Sequence, residues 1–383
     1  INFNPSLEVR NNQVIDKGVE DSQYNLPFQT FLLIVGDEDF FDININVSSK
    51  RVLAQDNNIL NSVNLDSYIR HSTQSQNNDL VYYYVSEPMY MRGVKIVQVA
   101  ISPYYYDRDS NEITLYDNIS IAINTEELVY NSKPVSSDFN QLISSLLINY
   151  DSESREINTK PCVLFICGGN SLEQSSLQDL IEWRKELGYE VHTAQVSDIG
   201  SSTTAIKNYI DDAYNNWQNP PEHIVLIGDT EGSYAIPYFS TTWGASDYDY
   251  TLIEGNDLFP EMSVGRISAN GSSDLSNIIN KTLIYEKATY IDFTGMDWYE
   301  RAALNADPSS SGNSTIITNE YIEEILEQNG FEDIQTNYGN GNYANWMQSE
   351  LSEGLLYFNY RGYIGTSGFG SGNINNADNG YMN

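Results

Sequence analysis

Apolar strand-like runs alternate with amphipathic helix-like runs from residue 161 onward, and this alternation constrains the fold more than any other feature. Residues 162–167 are all apolar, and further strand patterns follow at 189–194 and 223–228. Strands that are apolar on both faces and are separated by helices form parallel sheets covered by helices. Such sheets bind their ligands at the carboxyl ends of the strands, so we expect the functional site there.

The same reasoning predicts the other elements of the second half of the chain. Ser171 is placed to cap the first helix, with Gln174 three residues later as its partner in a capping box. Residues 309–313 are small and polar, which is typical of a flexible loop. Helices are predicted at 274–290, 318–328 and 343–352, and strands at 332–337 and 355–360.

Before residue 150 the pattern is that of β-strands. Residues 43–47 and 119–123 alternate strictly between apolar and polar side chains, and more apolar strands are predicted at 31–35, 80–85 and 94–101. We therefore predict a multidomain chain with an N-terminal all-β, sandwich-like domain at 1–150, a linker at 151–160, and α/β subdomains at 161–296 and 297–383. The last subdomain is expected to be incomplete, because strand 355–360 would otherwise expose an edge.

The charge balance is strongly acidic, with 19 Lys and Arg against 53 Asp and Glu and a net charge of −34. Nucleic acids and anionic membranes attract clustered basic residues, so neither is an expected partner. No apolar run approaches the roughly 20 residues of a membrane span, and no leader-like segment opens the chain. We expect a protein that is secreted or on the cell surface and has already lost its signal peptide.

Acidic residues gather in the loops that follow the third predicted strand of the α/β part. They are Asp229, Asp247, Asp249 and Asp257, and they lie among glycines and aromatic residues. Such carboxylates bind a cationic substrate group or a hard metal ion, and the candidate ion is a structural Ca²⁺ held by Asp249 and Asp257. The spacing is not that of an EF-hand, and the alternative is a set of solvated loop carboxylates. No organic cofactor is expected.

The two cysteines and two of the three histidines are candidates for catalysis. Cys162 and Cys167 lie five residues apart on one strand and point to opposite faces, so a disulfide between them is not expected. Cys167 stands at a strand end, where a nucleophile could lie, but a small buried side chain is the favoured interpretation. His192 and His223 each lie in a predicted strand, where a structural or surface role is favoured.

Five segments carry a resemblance to a known family. They are 180–185, 224–229, the acidic loop 246–257, 264–266 and the motif Asn359-Tyr360-Arg361-Gly362. Their order and spacing resemble the catalytic domain of the gingipain-type cysteine peptidases over about residues 161–370. The resemblance implies a caspase-like fold of two adjoining α/β subdomains, with the active site at strand carboxyl ends. Residues 1–150 look like the β-rich pro-domain of that family.

The resemblance also implies the positions of the catalytic groups. A cysteine peptidase needs a thiolate, an imidazole to take up its proton, and N–H donors for the oxyanion. In the family, the motif at 359–362 is followed by the catalytic His-Gly pair. Tyr363 therefore stands at the histidine position, and the backbone N–H of Ile364 at the oxyanion. The nucleophilic cysteine would follow on the next strand, beyond Asn383.

Two departures from the family pattern, Tyr363 at the histidine position and a nucleophilic cysteine outside residues 1–383, leave the function open. A tyrosine phenol ionises at about pH 10 and does not replace imidazole at neutral pH without a large shift. Asp247 matches the family's acidic residue near the specificity pocket, where it would bind a basic substrate side chain. The resemblance implies a secreted peptidase that acts on proteins or peptides and is completed by the C-terminal remainder of its precursor. The alternatives are an inactive cell-surface binding or structural protein, and a surface sortase of the same family.

Overall fold

A computed structural model describes residues 2–3, 29–36, 42–54, 71–74, 80–107, 109–110, 112–124, 133–151, 159–242, 244–289, 298–365 and 368–369. Contacts divide these residues into two compact units, one made of residues up to Asn280 and the other of residues from Lys281 onward. Each unit is described by itself below. No helix among the described residues combines the length and apolarity needed to cross a lipid bilayer.

The first unit begins with two antiparallel sheets. Their strands are β1 Asn2–Phe3, β2 Gln29–Ile34, β3 Asp42–Ala54, β4 His71–Gln74, β5 Leu80–Val85, β6 Met89–Met91, β7 Val94–Ile101, β8 Tyr104–Asp107 and β9 Glu112–Asn124. One sheet has the order β1-β9-β3 with β8 beside β9, and the other has the order β2-β7-β5-β4 with β6 beside β7.

Alternating side chains of these sheets form one shared apolar core. Ile45 and Val47 on β3 are buried, as the strict alternation predicts, and they belong to the same cluster as Val81 on β5 and Val99 on β7. The predicted strands 80–85 and 94–101 are confirmed with the same first and last residues. The existence of a separate all-β domain and the domain boundaries at 150, 160 and 296 stay predictions.

A four-stranded parallel sheet follows in the same unit, in the order β11-β10-β12-β15. The predicted parallel sheet is thereby confirmed. Its elements are α1 Ser137–Leu146 before the sheet, β10 Cys162–Cys167, α2 Ser175–Glu186, β11 Glu190–Gln195, α3 Val196–Ile199, α4 Thr203–Asn216, β12 His223–Ile227, the hairpin β13 Phe239–Thr241 and β14 Gly244–Ser246, β15 Ser263–Ile267, and α5 Ser272–Glu286. All six side chains of β10 are buried because this strand lies inside the sheet.

The predicted capping box at Ser171 is wrong. Residues Ser171–Glu173 form a single 3-10 turn, and α2 begins only at Ser175. Gly169 has a φ of +52°, which turns the chain sharply after β10. The side chain of Ser171 is buried in this turn and does not cap the helix.

The second unit contains a three-stranded parallel sheet in the order β17-β16-β18. Its elements are β16 Arg301–Ala306, α6 Pro308–Ser311, α7 Ser314–Gln328, β17 Asp333–Tyr338, α8 Tyr343–Glu353, β18 Tyr357–Arg361, and the short pair β19 Ile364–Gly365 and β20 Gly368–Phe369. The predicted loop 309–313 is wrong in its first half, which is the short helix α6. Asp307 caps this helix by accepting a hydrogen bond from the backbone N–H of Ser309, at 3.0 Å.

A buried arginine joins the antiparallel sheets to the parallel sheet within the first unit. Arg92 and Gly93 form the two-residue turn between β6 and β7, and both have positive φ, +49° and +76°. Arginine is an unusual residue at such a position, where asparagine, aspartate and glycine are preferred. Its guanidinium is fully buried and donates hydrogen bonds to the carbonyl oxygens of Pro134, Pro220, Pro221 and Glu261.

Glu261 adds a pH-dependent group to this junction. Its side chain is fully buried, and one carboxylate oxygen accepts a hydrogen bond from the backbone N–H of Ile253 at 2.6 Å. Burial raises the pKa of Glu261 from its ordinary value of 4.5 to about 7. The folded state therefore favours the protonated carboxyl group, and the stability that this proton contributes is present below pH 4.5 and is lost as pH rises through about 7.

Glu261→Gln is expected to remove this dependence. In the parent chain, ionisation of this carboxyl group lowers the free energy of unfolding by about 2 kcal/mol between about pH 5 and pH 8. The measurement is urea denaturation of parent and variant at both pH values. The difference between the two chains isolates Glu261 from other titrating groups. An equal pH dependence in parent and variant would contradict the assignment.

Candidate functional site

The carboxyl ends of β10 and β12 are covered by the segment 233–236. The backbone N–H of Ile236 donates to the carbonyl oxygen of Asp229 at 2.8 Å, just after β12. A Cβ atom on Gly168 or Gly228 would overlap the carbonyl oxygen of Tyr234. Glycine at both strand ends therefore lets this segment lie directly against the sheet edge.

Arg266 on β15 holds Asp247 at this edge. Its Nε and Nη2 atoms donate to the two carboxylate oxygens of Asp247 at 2.8 and 2.7 Å, a bidentate ion pair. Its Nη1 atom donates to the carbonyl oxygens of Gly228 and Ile236. The ion pair thus ties the loop after β14 to the ends of β12 and β15. Substrate binding by Asp247 stays a prediction. Each carboxylate oxygen keeps a second lone pair with which it can accept a hydrogen bond from a substrate group.

Asp247→Ala is expected to lower the free energy of unfolding by about 2 kcal/mol, because two N–H groups of a largely buried guanidinium lose their partner. The side chains of Arg266 and Asp247 are 11% and 24% exposed, so water replaces this partner only in part. Asp249→Ala, two residues later, is the control and is expected to change stability by less than about 0.5 kcal/mol. Urea denaturation measures both. Equal losses in the two variants would show that the ion pair does not hold the loop.

Asp249 and Asp257, the two predicted Ca²⁺ ligands, differ in their surroundings. The carboxylate oxygens of Asp257 accept hydrogen bonds from the backbone N–H groups of Tyr90, at 2.9 Å, and Phe259, at 2.7 Å. Asp257 thereby holds its loop against β6 within the first unit. Asp249 is half-buried in the 3-10 turn Tyr248–Tyr250. Ca²⁺ binding by Asp249 and Asp257 stays a prediction.

Tyr363 and Ile364 lie just after β18 in the second unit. The side chain of Tyr363 is 58% exposed, and its carbonyl oxygen accepts a hydrogen bond from the hydroxyl of Tyr360 at 3.4 Å. Ile364 begins β19 and pairs with Phe369. The side-chain amide of Asn359 donates to Asn319 on α7, which fixes the motif strand against that helix. The catalytic roles of Tyr363 and Ile364 stay predictions.

Both cysteines are buried in β10. Burial raises the pKa of the Cys167 thiol to about 12, and burial together with the charges of Glu190 and Glu222 does the same for Cys162. A nucleophilic cysteine is accessible and has a lowered pKa, so neither thiol is suited to attack a substrate.

The structure brings Cys162 close to His192 and Glu190, a group that sequence reasoning missed. The Sγ atom of Cys162 and side-chain ligand atoms of the other two residues all lie within 4.8 Å of one another. They meet at the amino-terminal ends of β10 and β11, opposite the edge where the site is expected. The available signal was the spacing of Glu190 and His192, which places both on one face of a strand.

Comparisons with known proteins assign the chain to a family. The model of peptidase family C25 matches residues 157–382, and the chain belongs to this family. Lys-gingipain W83 of Porphyromonas gingivalis is 27% identical over 286 residues, which are 70% of this chain and 16% of the relative. Gingipain R2 of the same organism is 25% identical over 313 residues, 77% of this chain and 42% of the relative. The chain therefore spans less than half the length of these relatives.

A solved structure supports the fold. The crystal structure of the Arg-specific cysteine proteinase gingipain R aligns with this chain at 24% identity and a TM-score of 0.50. The aligned region covers 60% of this chain and 52% of the gingipain R chain. Likeness at this level of identity concerns the fold alone. The predicted caspase-like α/β fold, with parallel sheets and helices, is confirmed.

Proposed function

We propose that the chain is part of a secreted cysteine peptidase of family C25 that hydrolyses peptide bonds in proteins or peptides and takes its nucleophilic cysteine from outside residues 1–383. The state of the two cysteines carries this proposal. The sequence contains only Cys162 and Cys167, and both side chains are fully buried in β10. Membership of a cysteine peptidase family together with two unsuitable thiols calls for a third cysteine.

The edge of the three-stranded sheet in the second unit supports the proposal that the nucleophile lies on an additional strand. Among the described residues, β18 pairs with β16 alone, so its other side carries N–H and C=O groups that a further strand can pair with. A strand added there in parallel would end beside Tyr363, which follows β18. A cysteine at that end would meet the residues to which family resemblance assigns the chemistry.

The proposed reaction gives each group at this strand end one task. The thiolate attacks the carbonyl carbon of the scissile peptide bond, and the developing oxyanion accepts a hydrogen bond from the backbone N–H of Ile364. By resemblance, Tyr363 occupies the position of the group that takes up the thiol proton and returns it to the leaving amine; water then hydrolyses the resulting thioester and regenerates the thiol. A phenol donates a proton less readily than an imidazolium, so hydrolysis at neutral pH is expected to be slow.

The second candidate is a catalytically inactive surface protein that binds proteins or peptides. The observation that favours it is Tyr363 itself, since the histidine position of the family holds a residue poorly suited to general base catalysis. In this case the strand end keeps the shape of a peptide-binding edge without the reaction.

Tyr363→His in the natural protein that contains this chain distinguishes the two candidates. For a peptidase, we expect the variant to raise kcat/KM for peptide hydrolysis at pH 7 by at least about tenfold, because imidazole supplies an effective base. Tyr357→His, on β18, is the control and is expected to leave kcat/KM unchanged. An unchanged kcat/KM for Tyr363→His would show that residue 363 is not at the base position. No hydrolysis by either protein would favour the inactive surface protein.

A further inference from the structure

We propose that Cys162, Glu190 and His192 bind one divalent transition-metal ion, of which Zn²⁺ is the best fit, at the amino-terminal ends of β10 and β11. The site is separate from the carboxyl strand ends to which the peptidase chemistry is assigned. It does not depend on the proposed function.

The register of the sheet brings the three ligands to one face. Cys162 pairs with Glu190 across the two parallel strands, and His192 follows Glu190 by two residues. Paired residues of neighbouring strands, and residues two apart on one strand, point to the same side of a sheet. The three side chains therefore converge, and their ligand atoms lie within 4.8 Å of one another.

The donor set determines which ion fits. Sulfur and imidazole favour Zn²⁺ and related ions over Ca²⁺ and Mg²⁺, which prefer oxygen ligands. Zinc bonds of about 2.3 Å to sulfur, about 2.0–2.1 Å to nitrogen and about 2.0–2.2 Å to oxygen separate tetrahedral ligand atoms by about 3.3–3.7 Å. A modest rearrangement brings the group to this geometry. Binding replaces the thiol proton with a sulfur–metal bond and releases that proton to solvent.

The surroundings provide access and orientation. Glu190 and His192 line a cleft of about 810 Å³, and their side chains are 41% and 38% exposed. The side-chain amide of Asn219 donates to Oε2 of Glu190 at 2.9 Å, while Oε1 lies 2.8 Å from Nε2 of His192. The ring of Trp217 packs at 4.4 Å from the imidazole ring. The hydrogen bond from Asn219 orients Glu190, as such partners orient metal ligands in known sites.

Three protein ligands leave one position of a tetrahedral ion for water or for a small anionic or neutral donor from the cleft. Because β11 is the edge strand of the parallel sheet, the ion would also fasten this strand to β10. An ion that binds the folded chain alone stabilises it in proportion to its concentration.

The test is metal titration of the chelator-treated chain. We expect calorimetry to find one Zn²⁺ per chain, and Co²⁺ to give a sulfur-to-metal charge-transfer absorption. Cys162→Ala is expected to abolish that absorption and to weaken Zn²⁺ binding by at least about tenfold. Cys167→Ala, in the same strand and equally buried, and His223→Gln, on β12, are matched controls expected to keep both signals.

Two further variants keep the test decisive if Cys162→Ala fails to fold. Glu190→Gln and His192→Gln replace partly exposed side chains, and each is expected to weaken Zn²⁺ binding while retaining the parent circular dichroism spectrum. Zn²⁺ is also expected to raise the thermal midpoint of the parent and not that of these variants. The proposal is overturned if the parent takes up no Zn²⁺ at micromolar concentration, or if folded ligand variants bind it as tightly as the parent.

Discussion

Arg92→Ala is expected to lower the free energy of unfolding of the chain by about 4–5 kcal/mol. The variant leaves three buried carbonyl oxygens, those of Pro220, Pro221 and Glu261, and the partly buried one of Pro134 without the guanidinium donors that satisfy them, at N–O distances of 2.9–3.3 Å. It also removes cation–π contacts with Phe139, at 5.1 Å, and Tyr214, at 5.5 Å, and leaves a cavity where the side chain was fully buried. Chemical denaturation followed by circular dichroism measures the loss.

Arg51→Ala is the matched control for this prediction. Arg51 also forms an ion pair, with Asp117 at 2.9 Å, but its side chain is 59% exposed. Its loss is expected to cost less than about 1 kcal/mol, because water replaces an exposed partner. If Arg92→Ala costs no more than Arg51→Ala, the buried turn does not join the antiparallel sheets to the parallel sheet.

Gly228→Ala is expected to destabilise the chain by at least about 3 kcal/mol. Gly228 has a φ of +147°, and a Cβ atom there would overlap the backbone of Tyr234. Backbone strain and overpacking each cost about 1–3 kcal/mol, and neither is relieved by moving a flexible side chain. The variant must push segment 233–236 away from the carboxyl end of β12, so amide hydrogen exchange in that segment is also expected to accelerate.

Gly188→Ala separates the cost of backbone strain from the cost of overpacking. Gly188 has a φ of +95°, but a Cβ atom there would meet nothing within 4 Å. This variant carries the backbone strain without the overlap and is expected to cost about 1–2 kcal/mol. Equal losses at both positions would mean that segment 233–236 does not depend on contact with Gly228.

Strands defined by local pattern could be predicted from the sequence. Residues 80–85, 94–101 and 162–167 begin and end as predicted, because a buried strand needs apolar side chains along its own length. The parallel sheet followed from the alternation of such strands with helices. Helix starts were less accurate, as at Ser171, because a single 3-10 turn after Gly169 displaces the start of α2 to Ser175.

Long-range contacts could not be predicted, for a physical reason. The carbonyl partners of Arg92 lie 42–169 residues away along the chain, and the sequence around Arg92 resembles an ordinary charged turn. Cys162 meets Glu190 and His192 only through the register of β10 and β11, which no local pattern specifies. The ion pair of Asp247 with Arg266 could not be predicted either, because it depends on the packing of the loop against β15. The sequence identified Asp247 only as a binding residue.

The most direct test is to locate the reactive cysteine in the natural protein that contains this chain. The protein is treated with a peptidyl, thiol-directed irreversible inhibitor, digested, and the modified residue is identified by mass spectrometry. We predict labelling of a cysteine outside residues 1–383 and no labelling of Cys162 or Cys167, whose thiols are buried. Labelling of either of these two cysteines in the folded protein would contradict the proposal that the nucleophile is supplied from elsewhere.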